Sequence, residues 1–391
     1  MIPAASCEML TGMVRRSSAL SVVVVAALLA GFGASGQTPE VLRVERLPAS
    51  LAGTWEFALA DPPGGVAELD ALTFRPLNVP GTWQKSGVPG HGTGWYRVTF
   101  DLDPSLVNAP LAFVCPQIRD VDEVFLDGLP VGRTGEFPPE YDKGTVVERI
   151  YELPPSRTAV PGRHTLAVKV YNAGPRAGGI TAAPRIDSVS SAFQGRAMRE
   201  APRALLAAAF GALGLFSLFF YLRDRGQTDF LYFFLSTTGT AVFIVSWLSI
   251  WVVSGLPLSF LFRVGHAGMF AVPASTLLLF LRFFERPLTR AHRLLLAAQG
   301  AGGAACLLWP RADDLYYLLP AGFVLGAAAA ADVTFNLAVA ARRRVPQARL
   351  LLGGTLLTVA AAAFDGAGVL GLGIGASVDF ALAGPAFFVL M

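Results

Sequence analysis

The side chains able to do chemistry in this chain are few and mostly far apart. Four carboxylates crowd one stretch: Asp120, Asp122, Glu123 and Asp127. Paired carboxylates can divide general acid–base work between them, and that is the chemistry such a cluster would offer. The plainer reading gives Asp127, which precedes Gly128, to a turn and the other three to a solvated strand edge. His91, His164, His266 and His292 are scattered, and no pair has metal-ligand spacing. Cys7, Cys115 and Cys306 fall in three different parts of the chain, so the segment around Cys115 is expected to hold no internal disulfide. Neither catalytic residues nor a metal or cofactor site can be assigned.

A second set stands out by its surroundings. Arg263, His266, Asp365 and Asp379 interrupt long apolar runs. Ionisable groups inside membrane spans are expensive and mark function by default. At 1.5 Å rise per residue, all four fall roughly 8–14 Å below the same bilayer face. Two acids and two potential cations at one level can pair within a bundle; the competing expectation is that each reaches separately to the headgroups, as a long arginine can. Asp332 and Asn336, one helical turn apart nearer the other face, read as a structural hydrogen-bonding pair.

The elements that must position these groups follow from composition. Of 391 residues, 53% are hydrophobic and 15% charged, with a mean hydropathy of +0.52, which excludes a disordered chain and is too apolar for an ordinary soluble enzyme. Residues 37–200 carry 16 Lys/Arg and 19 Asp/Glu, whereas residues 201–391 carry 13 and 8. The basic excess lies in short loops between apolar runs, so no nucleic-acid partner is implied. Seven runs, at 204–222, 228–252, 257–281, 291–309, 315–341, 348–370 and 373–391, are each long enough to cross a bilayer as a helix. Alternate loops hold ten Arg (Arg223, Arg225, Arg282, Arg286, Arg290, Arg293, Arg342, Arg343, Arg344 and Arg349) against Arg311 alone, which puts the Arg-rich side in the cytoplasm. Arg196, Arg199 and Arg203 run against this bias but follow a large exported segment, to which the rule does not extend. Residues 1–36 read as a signal peptide, with Arg15 and Arg16 before the apolar run Ala19–Ala30 and small residues near Gly36; Met13 would make a better start than Met1, and an uncleaved anchor is the competing reading. The expected protein is a multi-pass membrane protein with its N-terminal segment outside the cytoplasm.

Residues 37–197 are expected to form an exported domain of period-two strands. Tyr96, Val98, Phe100 and Leu102 alternate with polar residues, and Leu166, Val168 and Val170 alternate with Thr165, Lys169 and Tyr171. Val124-Phe125-Leu126 runs into Asp127-Gly128, a hairpin dipeptide, and resumes at Leu129. Short strands with regular turns predict an all-β sandwich or jelly roll. Trp55, Trp83, Trp95 and Tyr96 invite a sugar-stacking role, although Trp55 and Tyr96 fit the core better. Trp83, His91 and Arg119, on or beside turn-rich loops, are the candidate ligand-binding residues.

Five segments in order carry a family resemblance: Leu51-Ala52-Gly53-Thr54-Trp55-Glu56-Phe57, Val79-Pro80-Gly81-Thr82-Trp83-Gln84, Gly94-Trp95-Tyr96-Arg97-Val98-Thr99-Phe100, Glu123-Val124-Phe125-Leu126-Asp127-Gly128 and Gly162-Arg163-His164-Thr165-Leu166-Ala167-Val168-Lys169-Val170. The series resembles the N-terminal sugar-binding jelly roll, galactose-binding-like in fold, of family 2 glycoside hydrolases. That resemblance implies a fold and carbohydrate affinity without hydrolysis, because the catalytic carboxylates of those enzymes sit on a later barrel domain. An exported β domain followed by seven helices at 201–391 resembles the bacterial seven-transmembrane receptors with diverse intracellular signalling modules. The resemblance implies a bacterial inner membrane, a carbohydrate-like or other small polar ligand outside and a cytoplasmic effector of histidine kinase, diguanylate cyclase or phosphatase type. The seventh run ends at Met391, so that effector is expected beyond the sequence or on a separate chain. A receptor therefore stands first, and no enzyme activity is assigned to the residues present. The alternatives are a transporter, against which stands the lack of an inverted repeat, and a carbohydrate-binding membrane protein without a signalling role. A homodimer is left open.

Overall fold

The computed structural model describes residues 41–88, 91–142, 147–174, 178–249, 257–310, 315 and 317–369. Its first half is rich in sheet and its second half is helical. The strands are β1 (Leu42–Val44), β2 (Ala49–Ser50), β3 (Gly53–Leu59), β4 (Arg75–Val79), β5 (Gly92–Leu102), β6 (Leu111–Cys115), β7 (Ile118–Arg119), β8 (Val121–Leu126), β9 (Leu129–Thr134), β10 (Arg149–Glu152), β11 (Gly162–Asn172), β12 (Gly179–Ile180) and β13 (Arg185–Ser188). A large sheet runs β4-β3-β5-β11-β8-β9, with β1 parallel to the end of β5. A smaller sheet runs β10-β6-β13-β2, and β7 and β12 form a separate ribbon.

The two sheets enclose one core, which makes the region a sandwich. Alternation puts Tyr96, Val98, Phe100 and Leu102 of β5 and Leu166, Val168 and Val170 of β11 on the inner face of the large sheet, where they meet Phe113, Cys115 and Ile186 of the smaller one. Trp55 and Tyr96 are core residues, as their phase on the strands predicts: Trp55 donates its indole N–H to the Leu51 carbonyl at 2.8 Å. Asp127 and Gly128 have φ of 48° and 78°, the pair of left-handed residues that a two-residue hairpin between β8 and β9 requires. Asp127 also fixes the neighbouring strand, accepting from the Thr165 amide at 2.8 Å and lying 2.7 Å from His164 Nδ1.

Helix α1 (Val189–Arg223) follows β13 without a break, with the Ser188 hydroxyl accepting from the Ser191 amide at its N-cap. Its 35 residues give a length of about 52 Å. Val189 and Ala192 in its first turns pack on Ala112, Val114 and Ile150, which cover the outer face of the smaller sheet. The remainder is apolar enough to cross a membrane. The expected domain boundary at residue 197 therefore falls inside a continuous helix, whose start is hidden in the sequence because Val189–Glu200 lacks a long apolar stripe.

Five further long helices are described: α2 (Thr228–Val245), α3 (Leu258–Phe283), α4 (Arg290–Leu308), α5 (Leu319–Arg342) and α6 (Ala348–Val369). Successive helices pack on one another, and α5 also packs on α3. Four of the described helices, α1, α2, α3 and α5, are long and apolar enough to span a membrane. The first turn of α4 carries Arg290, His292 and Arg293, and Gln299 is buried further along, which lowers its apolarity. The expected seventh span at 373–391 lies outside the described residues.

The packing of α1 on the smaller sheet predicts where the β-rich region can be cut. Residues 41–200 expressed alone should be soluble, with a strand-dominated far-UV spectrum. Ending the segment at residue 188 should uncover Ala112, Val114 and Ile150 and give aggregation, measured by size-exclusion chromatography. Equal behaviour of the two fragments would mean that the helix does not complete the domain.

Candidate functional site

The outer face of the large sheet concentrates aromatic and charged groups where β5 begins and β11 ends. The strand register places Trp95, Lys169, Glu123 and Arg133 in one row across β5, β11, β8 and β9, and Thr93 with Tyr171 in the next. Lys169 Nζ lies 3.0 Å from Asp61 Oδ1 and stands over two rings, 4.9 Å from the Phe137 centroid and 5.8 Å from that of Trp95. Thr93 donates to the other Asp61 oxygen at 3.2 Å. Tyr171 meets Phe137 at 6.5 Å and Tyr141 at 5.6 Å between ring centroids, and the Tyr141 hydroxyl donates to Asp120 Oδ2 at 3.1 Å. Trp95 is wholly buried, so the ring faces that remain are those of the half-buried Phe137, Tyr141 and Tyr171, which with the Lys169 ammonium and the exposed Asp61 suit the binding of a polar molecule by stacking and charge-assisted hydrogen bonds.

The three candidates from sequence gather near this end but play different parts. The Trp83 indole is wholly buried, donating to the Tyr96 hydroxyl at 2.6 Å and lying 5.6 Å from the Phe57 ring, so it offers no face to a ligand in this structure. The Pro/Gly loop that seemed to expose it is folded under the β7–β12 ribbon, where the Gly81 and Trp83 amides donate to Ile180 and Gly178 carbonyls at 2.8 and 3.0 Å. His91 is exposed just before β5. Arg119 is half-buried on β7 opposite Gly179, and its Nε is buried without a hydrogen-bond partner. The Lys169 patch was partly legible, since Lys169 and Tyr171 are the polar phase of β11 and Trp95 is an aromatic on the same face of β5. Phe137 and Tyr141, in a Pro-rich loop, give no periodic signal.

Beneath this end the sandwich holds a buried ion pair. Arg149 of β10 donates through Nε to Asp122 Oδ1 of β8 at 2.6 Å, with both side chains wholly excluded from solvent. Its other nitrogens donate to the Val147 carbonyl and, at 3.3 Å, to the Asp120 carbonyl. The Tyr151 hydroxyl donates to the second Asp122 oxygen at 2.8 Å, which leaves the Thr134 hydroxyl to donate to Tyr151 at 2.5 Å. Burial raises the Asp122 carboxyl above its ordinary range while the Arg149 charge opposes the shift, and burial together with the Asp122 charge holds the Tyr151 phenol well above its usual value. Of the four sequence carboxylates, Asp122 is thus a structural ion-pair partner and Asp127 a turn residue. Among the described residues no group of three or more His, Cys, Asp or Glu could hold a metal.

In the helices, Arg263 donates to the Trp309 carbonyl and, at 3.1 Å, to the Pro310 carbonyl, both at the C-terminal end of α4. His266 is buried, with Nδ1 2.7 Å from the Phe262 carbonyl and its ring 3.9 Å from Phe262 and 5.8 Å from Trp247. The Asp365 side chain and all of Asp379 lie outside the described residues. Asp332 and Asn336 bond as expected, at 2.9 Å, and His292 of α4 joins them at 3.4 Å from Asp332.

No family model and no curated protein matches the chain. Among solved structures, it is similar to a GH2 β-galacturonidase from Eisenbergiella tayi bound to glycerol, at 20% identity and a TM-score of 0.28 over 39% of this chain and 26% of that one. A β-glucuronidase from Ruminococcus gnavus gives 16% and 0.30 over 39% and 30%, and a glycosyl hydrolase family 2 member from Bacteroides cellulosilyticus gives 19% and 0.29 over 35% and 20%. The chain thus spans at most about a third of the length of these enzymes. The likeness is partial and says nothing of activity.

Two outcomes follow from the buried groups. Arg149→Met should leave Asp122 uncompensated and destabilise the sandwich by about 3–5 kcal/mol, whereas adding Asp122→Leu should recover most of that loss; urea unfolding followed by tryptophan fluorescence measures both. Cys115 is buried, and its thiol is pushed up to about 12, chiefly by burial. Native protein should therefore leave Cys115 unlabelled by maleimide at neutral pH, and denaturant should expose it. Rapid native labelling, read by mass spectrometry, would contradict the assigned packing.

Proposed function

We propose that this protein is a membrane sensor, with the β-rich domain outside the cytoplasm and a helical bundle that relays its state across the membrane. The observation that carries the reading is α1, whose first turns cover the smaller sheet and whose remainder is apolar enough to cross a bilayer. A binding-type domain joined to a membrane span by one continuous helix, in which Pro202 removes a single backbone N–H, has no loop between the two to absorb a displacement. The bias of Arg to alternate loops supports this orientation, and the apolar run at 373–391 is long enough in sequence for a seventh span. The membrane is then the bacterial inner membrane, and the output passes to a cytoplasmic effector of kinase, cyclase or phosphatase type. The ligand is a saccharide or a similarly polar molecule that stacks on aromatic rings and bonds to charged groups. Its place is the end of the sandwich around Lys169, Phe137 and Tyr171, with His91 just before β5 and Arg119 on β7 beside it.

The test uses the full chain in nanodiscs against a glycan array, followed by calorimetry with any hit. Expected is weak, calcium-independent binding that falls at least about tenfold on Lys169→Ala, the loss of about 1.4 kcal/mol of charge-assisted contact. Absence of binding to every saccharide would leave the domain as a protein-interaction or structural module.

The intramembrane groups belong to the same proposal. Arg263 and His266 meet Asp365 and Asp379 at one level of the bundle, where shared charge lowers the cost of each. Arg263→Gln and Asp365→Asn should then be non-additive in thermal unfolding of the purified protein, by at least about 0.5 kcal/mol. Strict additivity would remove the pairing.

A further inference from the structure

The residues beside the Lys169 patch reach past it to the helices. The backbone of Glu136 and Asp142 forms an antiparallel bridge, Glu136 N–H to Asp142 O at 2.8 Å and the reverse bond at 3.1 Å. This closes a small loop whose rings, Phe137 and Tyr141, both lie on Tyr171. Tyr141 bonds to Asp120, so its side chain belongs to the candidate ligand-binding end. The next residue points elsewhere: Asp142 Oδ1 accepts the Ser259 amide of α3 at 2.8 Å. Ser259 is in the first turn of α3, where backbone N–H groups have no partner within the helix and a carboxylate is favoured.

The other helix next to the domain is held differently. In α1, Arg199 Nη2 lies 2.6 and 2.7 Å from the two oxygens of Glu148, and Val189 and Ala192 are packed on the smaller sheet. Helix α1 is therefore attached through an apolar face and an ion pair, while α3 is attached through a capping carboxylate on a loop whose rings line the candidate site. Two helices with attachments of such different kinds respond unequally when the loop moves.

We infer that the Tyr141-Asp142 dipeptide couples the candidate ligand-binding end of the sandwich to the N-terminus of α3, with α1 as the fixed reference. The inference takes its purpose from the sensor reading, but the tie can be tested with no ligand present. A ligand that displaces the Tyr141 ring from Tyr171 or Asp120 would move the carboxylate that caps α3, changing the position of that helix relative to α1.

The experiment is hydrogen–deuterium exchange by mass spectrometry on the full chain in nanodiscs. Asp142→Ala should speed exchange in the first turn of α3 by about fivefold, the usual consequence of losing a capping side chain, and Asp142→Asn should retain most of the protection. The decisive variant is Tyr141→Phe, which keeps both the ring and Asp142. It should speed exchange at Ser259 and Phe260 while leaving the α1 segment near Arg199 unchanged. Glu148→Gln should do the opposite, loosening α1 and sparing α3. If Tyr141→Phe changes only its own loop, or nothing, Asp142 caps α3 independently of the candidate site and the coupling is overturned. Equal loosening of α1 and α3 in every variant would also overturn it, because the effect would then be general destabilisation. Failure of saccharide binding would leave these exchange results standing, so the two readings fail separately.

Discussion

The Arg149–Asp122 ion pair is the constraint on which the arrangement of the β-rich domain depends. It joins the two sheets through their shared interior, with Asp122 on β8 and Arg149 on β10. Burying two charges is expensive unless the remaining donors and acceptors are satisfied. Here Tyr151, Thr134 and the Val147 and Asp120 carbonyls complete the set. A network of this kind fixes register more than it adds stability, because sliding either strand would leave a charge unpaired in a low-dielectric interior. The fixed register then places the residues next door. Asp120, two residues before Asp122, receives the Tyr141 hydroxyl at the candidate site, and Glu148, immediately before Arg149, faces outward to Arg199 of α1. One internal bond thus sets both the candidate site and the attachment of the first helix.

The strands were legible in the sequence to the extent that their environment is two-sided. Period two was plain on β5 and β11, which have one face on the core and one toward the Lys169 patch, and the Asp127-Gly128 turn followed from its chemistry. Trp83 was the instructive failure. Pro and Gly around it read as an exposed loop, yet the β7–β12 ribbon covers it, and only the pairing of residues distant in sequence could show that. The same holds for Asp122, which in sequence is one more acid in a cluster and in space is the partner of a residue 27 positions away. Phe137 and Tyr141 acquire meaning only when the loop closes through the Glu136–Asp142 bridge.

In the helical half, length and apolarity located the runs, but not what their polar residues bond. Ser236 and Thr276 bond to each other between α2 and α3, while several other hydroxyls there return to their own helix: Ser217, Thr237, Thr240 and Ser275 donate to carbonyls four residues earlier at 2.8–2.9 Å. This is the inexpensive way to bury a hydroxyl where no water is at hand. The start of α1 was missed because its first turns bury only a narrow seam against the sheet and carry Arg196, Arg199 and Glu200 on the rest. A helix that is half domain and half span has no single periodicity to find.

The polar residues of α3 form a sequence of attachments along one end of that helix. Ser259 is bonded to the sandwich through Asp142, Arg263 to the two carbonyls just past α4, and His266 lies against Trp247 just past α2. Arg263 satisfies the C-cap carbonyl of α4 and the one after it, and its charge opposes the negative end of the α4 dipole. Two of its donors are thereby engaged by backbone, so a carboxylate from elsewhere in the bundle would complete an existing junction instead of creating one. The attachments occupy positions 259, 263 and 266, within about 11 Å of the length of α3; the one at Ser259 is made by its backbone amide and the other two by side chains three residues apart. A displacement at the Asp142 end would therefore act on the same two turns of α3 that meet Trp247 and the chain end of α4, so the sandwich and the helix packing share one short stretch of that helix.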